Sequence, residues 1–324
     1  MHISSLLGRR AACALGLDIG SSSVKLVEIE CRGRHTLLRH GDRSPLGQGW
    51  VVDGRIENPR EVAVVIRGLL EKTGTKKRQV VLALPTAAVI TRQVLIPRGL
   101  TELEIEQQVE MEARHALGLP LETLYLDFCA DDALSDHPNK VAIQMVGVRR
   151  ERIDDLCKLC ESSGLEPVAV DIQNAALSRA MVRVLNLAPP SLADAIFLQF
   201  NWGVSTVSTQ AFQHSKPIYW HVQSREQAHH PPHRGALLKD IENGLQQFLH
   251  RVTASRVSAM YLAGGAALTE GMCEWATQAT DIPCQVLDPF EGLAVHHELD
   301  PDALRKEAAH YVSACGLALR VPTW

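Results

Sequence analysis

The chain of 324 residues carries a formal net charge of −4, with 46% hydrophobic and 22% charged residues. That length fits about two domains of ordinary size, and the near balance of charge gives no overall pull toward nucleic acid or an anionic membrane. Its eight cysteines are scattered rather than clustered, which favours a reducing cytoplasm over a disulfide-stapled scaffold.

The opening "MHISSLLGRRAACALGLDIG" places two arginines before an apolar patch, but Asp18 interrupts that patch before any cleavage region, so a secretory signal is not expected. No stretch reaches the about 18 uncharged apolar residues that cross a bilayer, and direct membrane insertion is not expected either. Leu15 to Ile19, Val24 to Ile29 and His35 to His40 read as three strands, with period-two alternation in "VKLVEIE" and Gly33 in a turn. A helix follows: Asn58 at its N-cap, Pro59 at its first position, Val62, Val65, Ile66 and Leu69 as its apolar stripe, and Gly74 as its stop. "QVVLALP" and "AVITRQVLIP" read as strands, and Thr101 caps an acidic helix that ends at Gly118. "NKVAIQMVGVR", "RERIDDLCKLCESSG", "LEPVAVDI" and "QNAALSRAMVRVL" then read as strand, helix, strand and helix.

After "NLAPPSLAD", the segment "AIFLQFNWGVSTVSTQAFQHSKPIYWHV" repeats the strand, turn, strand, turn, strand of the opening. This internal duplication suggests two similar α/β halves around a cleft. "QSREQAHHPPHRG" reads as a polar loop, "ALLKDIENGLQQFLHRV" as a helix and "AMYLAGG" as a strand. A helix from about Thr269 to Ala279, the strand "CQVLDP" and a closing helix with an inward alanine face complete the chain.

The turn "DIGSSSVK" brings consecutive backbone N–H groups and small side chains together, the makings of a nest for phosphate oxygens. Asp18 beside it can hold Mg²⁺ through water, and Lys25 can neutralise the anion. Alone, the same turn is equally an ordinary hairpin with a polar tip. The order Asp18, Gly20, Ser21, Lys25 resembles the first phosphate hairpin of the actin, hexokinase and Hsp70 superfamily. Gly264 and Gly265 in "YLAGGAALTEG" resemble its adenosine turn, where missing side chains let a nucleotide approach the backbone.

"GLDIGSSSVKLVEI", "VVDGRIENPREVAVVIRGLL", "VVLALPTAAVITRQVLIP", "EIEQQVEMEARHALGLPLETLYLDF", "ESSGLEPVAVDIQNAALSRA" and "GLALR" occur in the order seen in the PilM family of type IV pilus assembly, which the chain resembles over nearly its whole length. The resemblance implies an α/β, actin-like (ribonuclease H-like) two-lobed fold. Its first lobe would span 1–190 with an inserted extra subdomain at about 79–172, and a shortened second lobe would span 191–324 with a C-terminal helix at about 301–320. It implies ATP with Mg²⁺ as the cofactor, held by Asp18, Gly20, Ser21, Ser22, Ser23 and Lys25 from one lobe and by Asn201, Gly203, Asp240, Gly264 and Gly265 from the other, with Asp18 serving the metal. The implied partner is the N-terminal cytoplasmic peptide of a PilN-like inner-membrane protein, gripped beside the extra subdomain by residues that no short motif assigns. The place implied is cytoplasmic, peripheral to the inner membrane through that partner.

The second phosphate hairpin departs from the family pattern, since "NWG" puts Asn201 where an acid belongs and Trp202 before Gly203. An amide cannot supply the negative charge that holds Mg²⁺ or activates a nucleophile. The family's covering Gly-Gly turn gives way to "QSREQAHHPPHRG", and in "DIENGLQQF" Asp240 keeps its carboxylate while Asn243 and Gly244 replace an arginine and a serine. These losses imply weak or lost ATP binding and no catalytic residue to nominate. Two alternatives remain at this stage: an active ATPase or kinase of the superfamily, which Asn201 argues against, and the actin-like cytoplasmic part of a type II secretion system, which normally carries its own membrane span.

Other constellations read as structural. Cys157 and Cys160, three apart on one helical face, read as buried thiols rather than a redox or zinc pair. His229, His230 and His233 read as solvated loop residues, and Glu102, Glu104, Glu106, Glu110 and Glu112 as an exposed acidic face at a helix start.

Overall fold

A computed structural model describes residues 14–32, 35–116, 118, 120–131, 137, 139–225, 233–252 and 256–320. The N-terminal stretch, the turn at Gly33, the histidines His229 and His230 and the middle of "QSREQAHHPPHRG" lie outside the described residues. Strands β1 (Leu15–Ile19), β2 (Ser23–Arg32) and β3 (His35–Pro45) form an antiparallel meander. β3 runs beyond the expected end at His40, because the ladder with β2 continues to Ser23 opposite Pro45. Ladder bonds there outweigh the poor strand preference of Gly41 and Asp42.

A two-stranded ribbon, β4 (Val51–Val52) and β5 (Arg55–Ile56), leads into α1 (Pro59–Thr73). Val62, Ile66 and Leu69 of the expected stripe are fully buried, and Gly74 closes the helix at φ 65°, donating to the carbonyls of Leu70 and Glu71. Asn58 holds the N-cap position without a side-chain capping bond. β6 (Gln79–Leu84) returns to the sheet, parallel to β1.

Strand β7 (Val89–Pro97), α2 (Glu102–Ala116), β8 (Leu124–Asp131) and β9 (Lys140–Arg149) make a separate three-stranded sheet under one helix, with its own core of Ile96, Val109, Ala113, Leu124, Ile143 and Met145. Thr101 and Glu104 cap α2 reciprocally: the Thr101 N–H donates to Glu104 Oε2 at 2.8 Å and the Glu104 N–H to Thr101 Oγ1 at 3.4 Å. α3 (Arg150–Ser162), β10 (Glu166–Ile172) and α4 (Gln173–Leu185) follow. The interval of about 79–172 thus includes β6 and β10, both of which pair in the main sheet; only the chain between them leaves it.

The second half repeats the first. Strands β11 (Ile196–Trp202), β12 (Thr206–Gln213) and β13 (Lys216–Ser224) form the second meander. α5 (Arg234–Arg251), β14 (Val257–Gly264), α6 (Met272–Thr280) and β15 (Cys284–Val286) follow. The sheets read β3-β2-β1-β6-β10 and β13-β12-β11-β14-β15, the same order and strand directions twice, which is the expected duplication. β16 (Ala294–Val295) then adds to the edge of β3, so the chain returns to the first sheet.

The closing segment is broken: α7 (Pro301–Glu307), a 3₁₀ turn over Ala308–Tyr311, then α8 (Val312–Ala318). α8 and α4 pack together between the sheets, while α1 and α3 cover the outer face of the first sheet and α5 and α6 that of the second. Each fully buried Leu, Ile or Phe in these layers contributes about 1.5–3 kcal/mol. Two glycines allow the central contact. A Cβ on Gly16 would fall on the Ala314 carbonyl and one on Gly316 on the Ala176 carbonyl, so β1, α8 and α4 meet backbone to backbone.

Candidate functional site

The first turns of the two meanders are built alike. The Gly20 N–H donates to the Ser23 carbonyl at 3.1 Å, and the Gly203 N–H to the Thr206 carbonyl at 2.8 Å. In the first hairpin Asp18 stands opposite Lys25; in the second Asn201 stands opposite Ser208 at the same register. Where the first turn carries a carboxylate and an ammonium, the second carries an amide and a hydroxyl.

The Lys25 ammonium reaches Asp18 Oδ2 at 3.1 Å, with both side chains 12–14% exposed. It lies over the turn, 2.8 Å from where a Gly20 Cβ would stand, so a side chain at 20 would displace it. Ser23 is buried in β2, Ser21 is half-buried and Ser22 is exposed at the tip.

Three residues that sequence reasoning did not single out complete this corner. Arg43 stands opposite Lys25 on β3 and makes a two-pronged pair with Glu307, at 2.9 Å through Nε and 3.0 Å through Nη2. The hydrogen bond from Arg43 holds the Glu307 carboxyl below its ordinary value. Burial, then the charges of Arg43 and Lys25, hold the imidazole of His310 below its ordinary value. His310 also touches the second lobe, 3.1 Å through Cε1 from where a Gly265 Cβ would stand.

Gly264 ends β14 and Gly265 follows it. Gly264 sits at φ 83°, and a Cβ there would fall on the Trp202 carbonyl, so this turn can lie against β11 only as glycine. A second bridge joins the two halves at the start of α4. The Asn174 N–H donates to Thr86 Oγ1 at 3.3 Å, Ser208 donates to Asn174 Oδ1 at 2.8 Å and Gln210 Nε2 to the Asn174 carbonyl at 2.9 Å. Two sets of contacts thus join the halves near the hairpins: His310 feels the Lys25 charge and stands beside Gly265, and Asn174 links Thr86 to Ser208.

Asp240 is engaged inside its own lobe. Arg225 Nε lies 3.0 Å from Asp240 Oδ2, Trp202 Nε1 donates to the same oxygen at 3.1 Å, and Gln223 Nε2 reaches Oδ1 at 3.4 Å. The bulk of Trp202 is buried in the second lobe's core and stacked on Phe200. Gly244 likewise faces the sheet: a Cβ would stand 2.6 Å from Phe200 Cε1, so a residue there would meet the core rather than a ligand. Asn243 is exposed.

Cys157 and Cys160 lie in α3 against the first core, as expected; burial raises both thiols, Cys160 to about 12. A depression of about 180 Å³ lies at the far end of the second sheet, lined by Leu185, Pro189, Leu192, Phe197 and His214, away from both hairpins.

The family model of the type IV pilus assembly protein PilM matches residues 16–230 and 223–322. The chain belongs to the PilM family. This PilM-family chain is also similar to the solved structure of a PilM–PilN type IV pilus biogenesis complex, at 24% identity and a TM-score of 0.77 over 96% of this chain and 99% of that one. A weaker likeness, at 14% identity and a TM-score of 0.54, is to the ethanolamine utilization protein EutJ from Carboxydothermus hydrogenoformans, over 94% of this chain and 89% of that one. The fold of this PilM-family chain is the actin-like, two-lobed fold with the extra subdomain that its duplicated sheets and β7–β9 unit build. No helix among the described residues is long and apolar enough to cross a membrane.

Proposed function

We propose that the protein is a cytoplasmic scaffold of type IV pilus biogenesis that grips the N-terminal cytoplasmic peptide of a PilN-like inner-membrane protein and is held at the membrane by it. The observation that carries this reading is the match along almost the entire chain to the PilM family, joined to a shared fold with the PilM of a PilM–PilN complex. The β7–β9 sheet with α2 is the extra subdomain beside which the peptide would lie.

The cleft binds nucleotide weakly and does not turn it over. Asp18, Gly20, Ser21, Ser22, Ser23, Lys25, Gly203, Gly264 and Gly265 supply the surface, and Asn201 leaves the second hairpin without its acid. Asp240, committed to Arg225 and Trp202, is left out of this set. A pull-down from membranes tests the reading: the tagged chain retains the full-length PilN-like protein and loses it when that protein's N-terminal peptide is deleted. Retention that ignores the deletion, or none at all, overturns it. Steady phosphate release from ATP above a no-protein control overturns the idle cleft.

A further inference from the structure

Mg²⁺ binds through oxygen ligands, usually one or two free carboxylates together with phosphate oxygens and water. The three carboxylates described above, Asp18, Glu307 and Asp240, each already face a cation. Asp18 holds Lys25 at 3.1 Å, Glu307 holds Arg43 by two bonds at 2.9 and 3.0 Å, and Asp240 holds Arg225 at 3.0 Å while accepting from Trp202. The fourth position, Asn201, is an amide. Lys25 leaves Asp18 one oxygen, Oδ1, so a divalent cation would find half of one carboxylate, with an ammonium held at the other oxygen and both side chains largely buried. The donor set does not fit the Mg²⁺ that the superfamily resemblance implies.

It fits an anion without a metal. The Lys25 ammonium has three donors and spends one on Asp18, so it can reach a phosphate oxygen at the same time. Asn201 stands on the second hairpin at the register Asp18 holds on the first, and its NH₂ can donate to a phosphate there, where the acid it replaces would repel it unless a cation stood between. The exchange of acid for amide therefore does two things together: it removes a metal ligand and opens the corner to direct contact with phosphate. We infer that the cleft takes the phosphate chain of a nucleotide in the absence of any divalent cation, with Lys25, Asn201 and the two hairpin turns as its contacts. This rests on the reading that the cleft is the nucleotide site, and adds the form in which the ligand enters.

The test is calorimetric titration of ATP into the full-length chain, once in excess EDTA and once in excess Mg²⁺. Expected is the same dissociation constant within about twofold in both. The Asn201→Asp variant should weaken binding in EDTA by about tenfold and recover it with Mg²⁺, because the restored carboxylate repels the bare phosphate and accepts the metal. Wild-type binding that tightens tenfold or more with Mg²⁺ overturns the inference and leaves the nucleotide reading standing. No heat of binding in either buffer overturns both. Because the first comparison uses the unmodified chain, it holds whether or not the variant folds; circular dichroism of Asn201→Asp checks the second.

Discussion

Alanine at Gly316 should weaken the protein even though alanine is the better helix former. Gly316 lies in α8 where the helix crosses α4 between the two sheets. A Cβ there would fall on the Ala176 carbonyl oxygen, 2.6 Å from its carbon and 3.1 Å from the Ala176 Cα. All three atoms are backbone, so no rotamer relieves the overlap, and α4 and α8 must part by roughly 1.5–2 Å to restore ordinary contact. That separation loosens Ala14, Val81, Ala176 and Leu317, which pack as one cluster. Overpacking costs about 1–3 kcal/mol, and the lost contacts bring the total to the upper end of that range. The gain in helix propensity is about 1 kcal/mol, which leaves a net loss of about 2 kcal/mol. The control is Gly68→Ala in α1, where the glycine is exposed and nothing lies within 4 Å of the new methyl; it should stabilise by up to about 1 kcal/mol. Urea midpoints of the two variants, followed by circular dichroism, should move in opposite directions. A Gly316→Ala protein as stable as the parent would refute the packing of α4 on α8.

Alkylation by iodoacetamide at neutral pH should label the exposed Cys129 readily and leave Cys160 untouched until the protein is unfolded, since burial pushes the Cys160 thiol up to about 12; early labelling of Cys160, read by mass spectrometry, would contradict the position of α3. His310 has its pKa lowered in the folded chain, so the unfolded state binds the extra proton first: stability should be level above about pH 6.5 and fall as pH drops from there toward the lowered folded value. In His310→Gln that slope should be flatter, and an unchanged slope would remove His310 from the cleft. Arg225→Met should cost about 2 kcal/mol by leaving Asp240 largely buried without its cation, and adding Asp240→Asn should recover part of that loss in thermal unfolding; two strictly additive losses would separate the pair.

The duplicated meander was legible because alternation in "VKLVEIE" and "FLQFNWGVSTVSTQAF" sets strands directly, and the structure pairs those strands in the same order in both halves. Gly74 and the Thr101–Glu104 cap were legible for a similar reason, since each acts within one turn of helix. The return of the last segment to the first sheet was not. What fixes α8 there is the absence of side chains at Gly16 and Gly316, and nothing local says which backbone each glycine will meet. The cleft divides along the same line. Asp18 and Lys25 are near in sequence and face each other on one hairpin, whereas Glu307 reaches Arg43 across 264 residues and carries no motif of its own. Arg43 could have been found by extending the third strand past His40, because it falls directly opposite Lys25. Asp240 was visible as a carboxylate, but its capture by Arg225 and Trp202 depends on how α5 lies on the second sheet.

The most direct measurement is calorimetric titration of a synthetic peptide, the N-terminal cytoplasmic residues of the PilN-like protein, into the full-length chain without nucleotide. Saturable binding of one peptide per chain, abolished by scrambling the peptide sequence, is the expected result. Equal heats from the native and scrambled peptides, or none from either, would contradict a role in holding that membrane partner.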